Sequence, residues 1–171
     1  SGTRLGRSTR KSLFRAKEGR TGPVLVEIPK EITEVKTEDT PMPAAEVGPS
    51  RDRDEKDLET ALAMIRRSKR PFICVGGGAI LSDAAEELYK FAKRVDAPVT
   101  DTLMGHGAFP ETDELYTGMV GMHGTKASDY GVDECDLLIV AGARFSDRVT
   151  GNVNEFAKNA EILQLDIDAA E

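Results

Sequence analysis

With 171 residues, 39% of them hydrophobic and 31% charged, the chain suits one ordinary globular domain with a real core. A formal net charge of −7 disfavours a general nucleic-acid or membrane-surface role, and no apolar run approaches the roughly 18 residues of a membrane span. No secretory signal pattern opens the chain, and its two cysteines, Cys74 and Cys135, lie at the edge of or inside apolar runs; buried free thiols in a reducing cytoplasm are therefore expected.

Thr3 to Arg20 is locally basic, with seven Lys or Arg and one Glu, and Ser8 to Glu18 has weak helical periodicity stopped by Gly19. GRTGPVLVEIPKEI then predicts a short strand, Val24 to Ile28, fenced by Gly22-Pro23 and Pro29. From Glu34 to Arg53, Pro41, Pro43 and Pro49 stand among Thr, Glu and Ala with little periodicity, which reads as an extended linker. Ser50 is expected to cap a helix over Asp54 to Ser68 whose apolar face is Leu58, Ala61, Leu62 and Ile65. A strand, Pro71 to Val75, runs into Gly76-Gly77-Gly78, and a helix over Ala84 to Arg94 turns Leu88, Phe91 and Ala92 inward. Pro98 to Thr100 is a short strand leaving through Asp101 to Gly105, and Gly105 to Gly124 reads as a Gly- and Met-rich loop. A helix from Thr125 or Ser128 to about Glu134 precedes the unbroken apolar strand Leu137 to Ala141. A loop with Arg144 and Arg148 follows, then a short helix around Val153 to Lys158 and a last strand, Glu161 to Leu165, leaving through Asp166-Ile167-Asp168.

Helices alternating with short apolar strands imply an α/β fold: a parallel, Rossmann-like, doubly wound sheet with helices on both faces. A parallel sheet puts every strand exit on one edge, where ligands of such folds bind. That edge would collect Gly76 to Gly78, Thr102 to Gly105, Gly142 to Arg148 and Asp166 to Asp168. The triple glycine bares backbone N–H groups for a phosphate oxygen, although tight strand–helix packing explains it as well. GGGAILSD is not the dinucleotide fingerprint, since Leu81 stands where its third glycine belongs. Arg144 and Arg148 supply the charge a pyrophosphate wants, and Asp166 and Asp168 suit a ribose or adenine, with helix capping as their alternative. His106 and His123 have no partners at metal-ligand spacing, and no nucleophile elbow, phosphate-loop lysine motif or Ser-His-Asp pattern stands out. The residues alone therefore reach a dinucleotide-binding α/β domain, with no catalytic residue and no metal ligand assigned.

Taken in order, GRTGPVLVEIPKEI, VGGGA, TLMG, GMVGMHGT, GARFSDRVTG and LDID closely resemble the FAD-containing, biosynthetic acetolactate synthase (acetohydroxyacid synthase) family, from about Gly19 to Glu171. GARF-x-DRVTG with GMHGT is specific to that branch of the thiamine-diphosphate enzymes, whereas the GGG loop is shared more widely. The resemblance implies that residues 1–32 are the tail of a preceding pyrimidine-binding domain, 33–50 a linker and 51–171 a central FAD-binding domain that stops short of the family's next strand.

Carried over by position, the resemblance implies that Arg20 and Gly76, Gly77 and Gly78 approach the FAD phosphates and ribityl chain. Thr102, Leu103 and Met104, with Gly121, Met122 and His123, would line the ribityl–isoalloxazine part. Gly142, Ala143, Arg144, Arg148 and Val149 would hold the ribityl–pyrophosphate side, and Asp166 and Ile167 the adenosine end. The family usually has an aspartate where Ser146 stands, so no contact is carried to that side chain; Lys30 matches a lysine near the family's substrate channel. The family's transferase reaction joins two 2-oxo acids with loss of carbon dioxide, in branched-chain amino acid biosynthesis. Thiamine diphosphate and Mg²⁺ are its reactive cofactors and FAD is a structural one. The glutamate that activates thiamine and the GDG…N metal motif belong to flanking domains and are not found in this sequence. The implied partners are those thiamine-binding domains, further copies of the chain and a regulatory subunit, and the 171 residues alone are expected to be inactive. Two alternatives stand beside this reading: a stand-alone nucleotide-binding module, and the central domain of a pyruvate oxidase-like enzyme.

Overall fold

The computed structural model describes residues 2–36, 43 and 54–168. The chain divides into two units, Ser1–Asp52 and Arg53–Glu171. In the first, α1 (Gly2–Lys17) carries Arg15 and Lys17 in its last turn, where cations complement the carbonyl end of the helix dipole. Gly19, at φ +59°, supplies the left-handed residue just past it. The expected strand Val24–Ile28 forms no ladder, and Leu25 is 93% exposed. An apolar run becomes a strand only when a neighbour takes up its N–H and C=O groups, and among the described residues of this unit none does. A single helical turn, α2 (Lys30–Thr33), follows Pro29.

The second unit is a five-stranded, wholly parallel sheet. Its strands are β1 (Pro71–Val75), β2 (Val99–Asp101), β3 (Tyr116–Met119), β4 (Leu137–Ala141) and β5 (Glu161–Leu165), in the order β3-β2-β1-β4-β5. β1 and β4 lie inside the sheet and pair along their whole lengths, Pro71 with Leu137 through Val75 with Ala141. Alternate residues serve opposite faces. Ile73, Val75, Val99, Leu137 and Ile139 form one core with Met64 and Ile65 of α3 (Glu55–Arg67) and Leu88 and Ala92 of α5 (Ala85–Val95). Phe72, Cys74, Leu138 and Val140 form the other with Val132 of α6 (Lys126–Glu134) and the partly buried Phe145 and Phe156. Double-sided burial is why β1 and β4 read as unbroken apolar runs instead of alternating ones. The expected α/β fold, a parallel sheet with helices on both faces, is the one observed.

Helix starts follow local chemistry. Asp54 accepts from the Lys56 N–H (3.0 Å), and Thr125 from the Ser128 N–H (3.1 Å). Asp54, not Ser50, caps α3; Ser50 lies outside the described residues. The expected apolar face of α3 is only half used. Met64 and Ile65 reach the core near the helix's C-terminal end, whereas Leu58 is 55% and Leu62 43% exposed.

Three elements of the second unit depart from the sequence expectation. α4 (Gly77–Leu81) forms directly on the glycine run. β3 lies inside the stretch read as loop; Gly118 at φ +98° and a register shift beside Val99 and Thr100 break the periodicity that marks a strand. The short helix expected around Val153–Lys158 instead forms earlier, as α7 (Asp147–Thr150), because Gly151 at φ +57° turns the chain out of it.

Candidate functional site

Strand order reverses direction around β1: β2 lies on one side and β4, reached only after β3, on the other. In parallel sheets this switch point opens a crevice beyond the carboxyl ends. Here it is closed at its base by backbone packing. A Cβ on Gly76 would stand 2.3 Å from the Gly142 carbonyl oxygen and 2.4 Å from the Ala143 Cα, and one on Gly78 would stand 2.7 Å from the Gly142 Cα. The N–H of Gly76 donates to the Ala141 carbonyl and that of Gly78 to the Gly142 carbonyl, both at 2.9 Å. This corrects the expectation that the triple glycine bares its amides to a phosphate: two of the three are bonded to the exit of β4. The glycines are needed because only bare backbones can approach this closely.

The other exits are stitched to the same edge. Thr102 N–H donates to the Val75 carbonyl (2.8 Å), and a Cβ on Gly105 would meet that oxygen at 2.3 Å. The Thr102 hydroxyl accepts from the Gly105 N–H (3.3 Å), closing a 3-10 turn, Leu103–Gly105. This turn leaves Leu103 and Met104 each 74% exposed, and a Cβ on Gly77 would touch the Met104 carbonyl oxygen at 3.1 Å. Beyond β3, Met122 N–H donates to the Arg148 carbonyl (3.1 Å), and Gly121, at φ +98°, packs so that a Cβ would meet Arg148 O at 2.4 Å and Val149 Cα at 3.0 Å. Met122 is 70% exposed, and His123 is exposed beside it. Gly142 N–H donates to the Leu165 carbonyl (2.8 Å), bringing the exit of β5 alongside.

Every expected site residue of the second unit therefore lies along one edge. Gly76, Gly77, Gly78, Gly142 and Ala143 form its floor, Thr102, Leu103 and Met104 one wall, and Gly121, Met122, His123, Arg148 and Val149 another. Arg144 and Arg148 are exposed, Arg148 with its Nε 3.6 Å from the Asp147 carboxylate. Asp166 is half-buried, and its Oδ1 accepts from the Asp168 N–H (2.9 Å), a local side-chain-to-backbone turn. Ile167 is 62% exposed. Arg20 belongs to the first unit, where it is exposed in the bend after α1.

One group at this edge was not singled out from sequence. Asp101, the last residue of β2, is fully buried. Its Oδ2 accepts from the Tyr116 hydroxyl (3.0 Å) and lies 3.1 Å from His106 Nδ1; its Oδ1 has no partner among the described residues. His106 Nε2 in turn lies 3.1 Å from Glu111 Oε1. Burial, then the bond to Asp101, pushes the Tyr116 phenol up, so it stays protonated and donates. The only sequence signal was an aspartate closing the apolar run Pro98 to Thr100, where exit-loop polarity was the simpler explanation.

Among the described residues no group of three or more His, Cys, Asp or Glu side chains is set to hold a metal ion, and no helix is long and apolar enough to cross a membrane. The edge offers instead exposed thioether and aliphatic side chains, two guanidinium groups and close-packed backbone.

Residues 58–171 match the family described as thiamine pyrophosphate enzyme, central domain. The acetolactate synthase large subunit of Parasynechococcus marenigrum is 44% identical across 98% of this chain, and that of Cyanidium caldarium 42% across 94%. The chloroplastic acetolactate synthase 2 of Nicotiana tabacum is 44% identical across 98%. The chain spans about a quarter of these relatives, 28%, 28% and 26% of their lengths. A Mycobacterium smegmatis structure, solved as a candidate thiamin diphosphate-dependent enzyme, superimposes with a TM-score of 0.68 at 23% identity, covering 95% of this chain and 31% of that one; at that identity it speaks for the fold. With the parallel sheet, its strand-end edge and the matched residues together, this chain belongs to the family of thiamine pyrophosphate enzyme central domains.

Proposed function

We propose that the second unit is the FAD-binding central domain of an acetolactate synthase large subunit, an enzyme that condenses two 2-oxo acids with loss of carbon dioxide. The observation that carries the flavin reading is the pairing, along one sheet edge, of exposed Leu103, Met104, Met122 and Ile167 with exposed Arg144 and Arg148. A flavin dinucleotide needs both: polarizable apolar contacts for a flat ring and guanidinium groups for a pyrophosphate. Leu103, Met104, Met122 and His123 would meet the isoalloxazine end, Arg144 and Arg148 the pyrophosphate, and Asp166 and Ile167 the adenosine. Gly76 to Gly78, Thr102, Gly121, Gly142, Ala143 and Val149 would shape the groove through backbone.

FAD in this role is a structural group. Thiamine diphosphate, when bound with Mg²⁺ by flanking domains, supplies the carbanion chemistry. The domain's task is then to hold the dinucleotide and brace its neighbours, further copies and a regulatory subunit included. Cys74 and Cys135, both buried free thiols, fit a reducing compartment such as the cytoplasm.

The test is titration of FAD into the chain, followed by flavin fluorescence. Saturable one-to-one binding is expected. Absence of binding at concentrations that saturate flavoproteins would leave a central domain without a flavin and overturn the cofactor assignment.

A further inference from the structure

The excursion between β2 and β3 is tied down at both ends by one carboxylate. Asp101 closes β2 and is 0% exposed. Its Oδ2 holds His106, five residues on, at 3.1 Å, and Tyr116, fifteen residues on, at 3.0 Å. His106 sits just past the 3-10 turn, and Tyr116 is the first residue of β3. The His106 ring reaches Glu111 on its other side at 3.1 Å, so the loop is also drawn in at its middle. Ala108 and Phe109 between them are buried at 3% and 1% exposure, Phe109 against Tyr89 with ring centroids 5.6 Å apart. Leu103 and Met104 are thus a short exposed span stretched between a buried polar anchor and an apolar one.

A carboxylate is an expensive way to end a buried strand. Val99 and Val75 on the same core face show that an apolar side chain is accommodated there, and a charge removed from water is costly unless paired. What a carboxylate offers and a valine cannot is directional attachment. It fixes the imidazole and the phenol at set distances and so sets the height of Leu103 and Met104 above the glycine floor, where the Met104 carbonyl already meets Gly77 closely.

We propose that Asp101 is a positioning residue that, through His106 and Tyr116, sets the Leu103–Met104 span against the ring end of the bound dinucleotide. This rests on the flavin reading above. Asp101 is fully buried and acts through its two tethers. It acts on the ring end, because its tethers His106 and Tyr116 both lie on the β2–β3 excursion.

The experiment compares FAD with ADP, which has the adenosine and pyrophosphate but no flavin. Binding of each is measured to the unaltered chain and to Asp101→Asn, His106→Gln and Tyr116→Phe, with the visible absorption band of bound flavin recorded throughout. Asp101→Asn and His106→Gln are expected to weaken FAD about tenfold and alter the band shape, while ADP affinity changes less than about twofold. Tyr116→Phe, which keeps the ring volume and removes one donor, is expected to show the same selectivity to a smaller degree. ADP affinity doubles as the folding control. Parallel loss of FAD and ADP in all three variants, or unchanged FAD affinity with an unchanged band, overturns the proposal. If the unaltered chain binds ADP but not FAD, the flavin reading fails first and takes the proposal with it.

Discussion

Gly76 and Ala143 sit backbone against side chain: a methyl group on Gly76 would lie 2.4 Å from the Ala143 Cα and 2.6 Å from its Cβ. No real Cβ sits that close, so Gly76→Ala must push β1 away from the exit of β4. The expected loss is about 1–3 kcal/mol, the scale of overpacking in a well-packed interior. Gly107 is the comparison, because it has φ +89° and nothing within 4 Å of the Cβ position. Gly107→Ala should lose only the conformational cost, about 1 kcal/mol. Urea denaturation of both variants checks the order. Equal losses would mean that the strand exits are not close-packed.

Arg144→Ala should weaken FAD binding by about 1.5–3 kcal/mol, the scale of a charge-assisted hydrogen bond to phosphate. Fluorescence titration of flavin against both proteins measures it. Equal affinity would move the pyrophosphate away from the exit of β4.

Asp136 links the start of β4 to the turn before β1. Its carboxylate accepts from the Ser68 hydroxyl and from the backbone N–H groups of Lys69 (2.8 Å) and Arg70 (3.0 Å). The Ser68 bond, then the Lys69 bond, hold its pKa below the ordinary aspartate value, with the Arg70 bond and charge adding to them. A depressed folded value stabilises the fold above the unfolded value and is lost as pH falls through the folded one. Wild type should therefore be more stable than Asp136→Asn near neutrality, with the gap closing from about pH 5 downward. Denaturation midpoints measured across that range test it, and a gap independent of pH would refute the assignment.

Both thiols should be inert in the folded chain. Burial, aided by the Asp101 charge, pushes Cys74 up to about 12; burial, aided by Asp136, pushes Cys135 up to about 11. Since the thiolate is the nucleophile, iodoacetamide at about pH 8 should label neither cysteine until denaturant is added, and then both. Mass spectrometry after timed labelling reads this directly. Rapid labelling of the native chain would place a cysteine at the surface.

The chain is expected to make no acetolactate from pyruvate, even with FAD, thiamine diphosphate and Mg²⁺ supplied. Thiamine becomes nucleophilic only when a placed carboxylate acts on its aminopyrimidine and an oxygen-rich site fixes the metal on its diphosphate. Among the described residues no such metal cluster is assembled. Colorimetric detection of acetoin after acidification is the assay, and turnover above a no-protein control would reveal a thiamine site in this unit.

Sequence alone determined whatever local pattern dictates. The apolar runs Pro71–Val75 and Leu137–Ala141 read as strands buried on both faces, and the alternation with helices pointed to a parallel sheet as the way to bury them. Which loops share an edge came with that inference, since parallel strands all exit one way. Tertiary structure decided everything that depends on neighbours distant in the chain. Val24–Ile28 has strand composition but no partner among the described residues, whereas Tyr116–Met119, irregular at Gly118, pairs because β2 lies beside it. The glycine run looked like a set of free donors; the approach of β4's exit at Ala141, Gly142 and Ala143, far along the chain, uses two of them. Asp101 read as a loop residue and proved a buried hub, because its partners are brought to it by the path of the β2–β3 excursion. A hydrophobic period is written in adjacent residues, but the partner of a polar group is chosen by the fold.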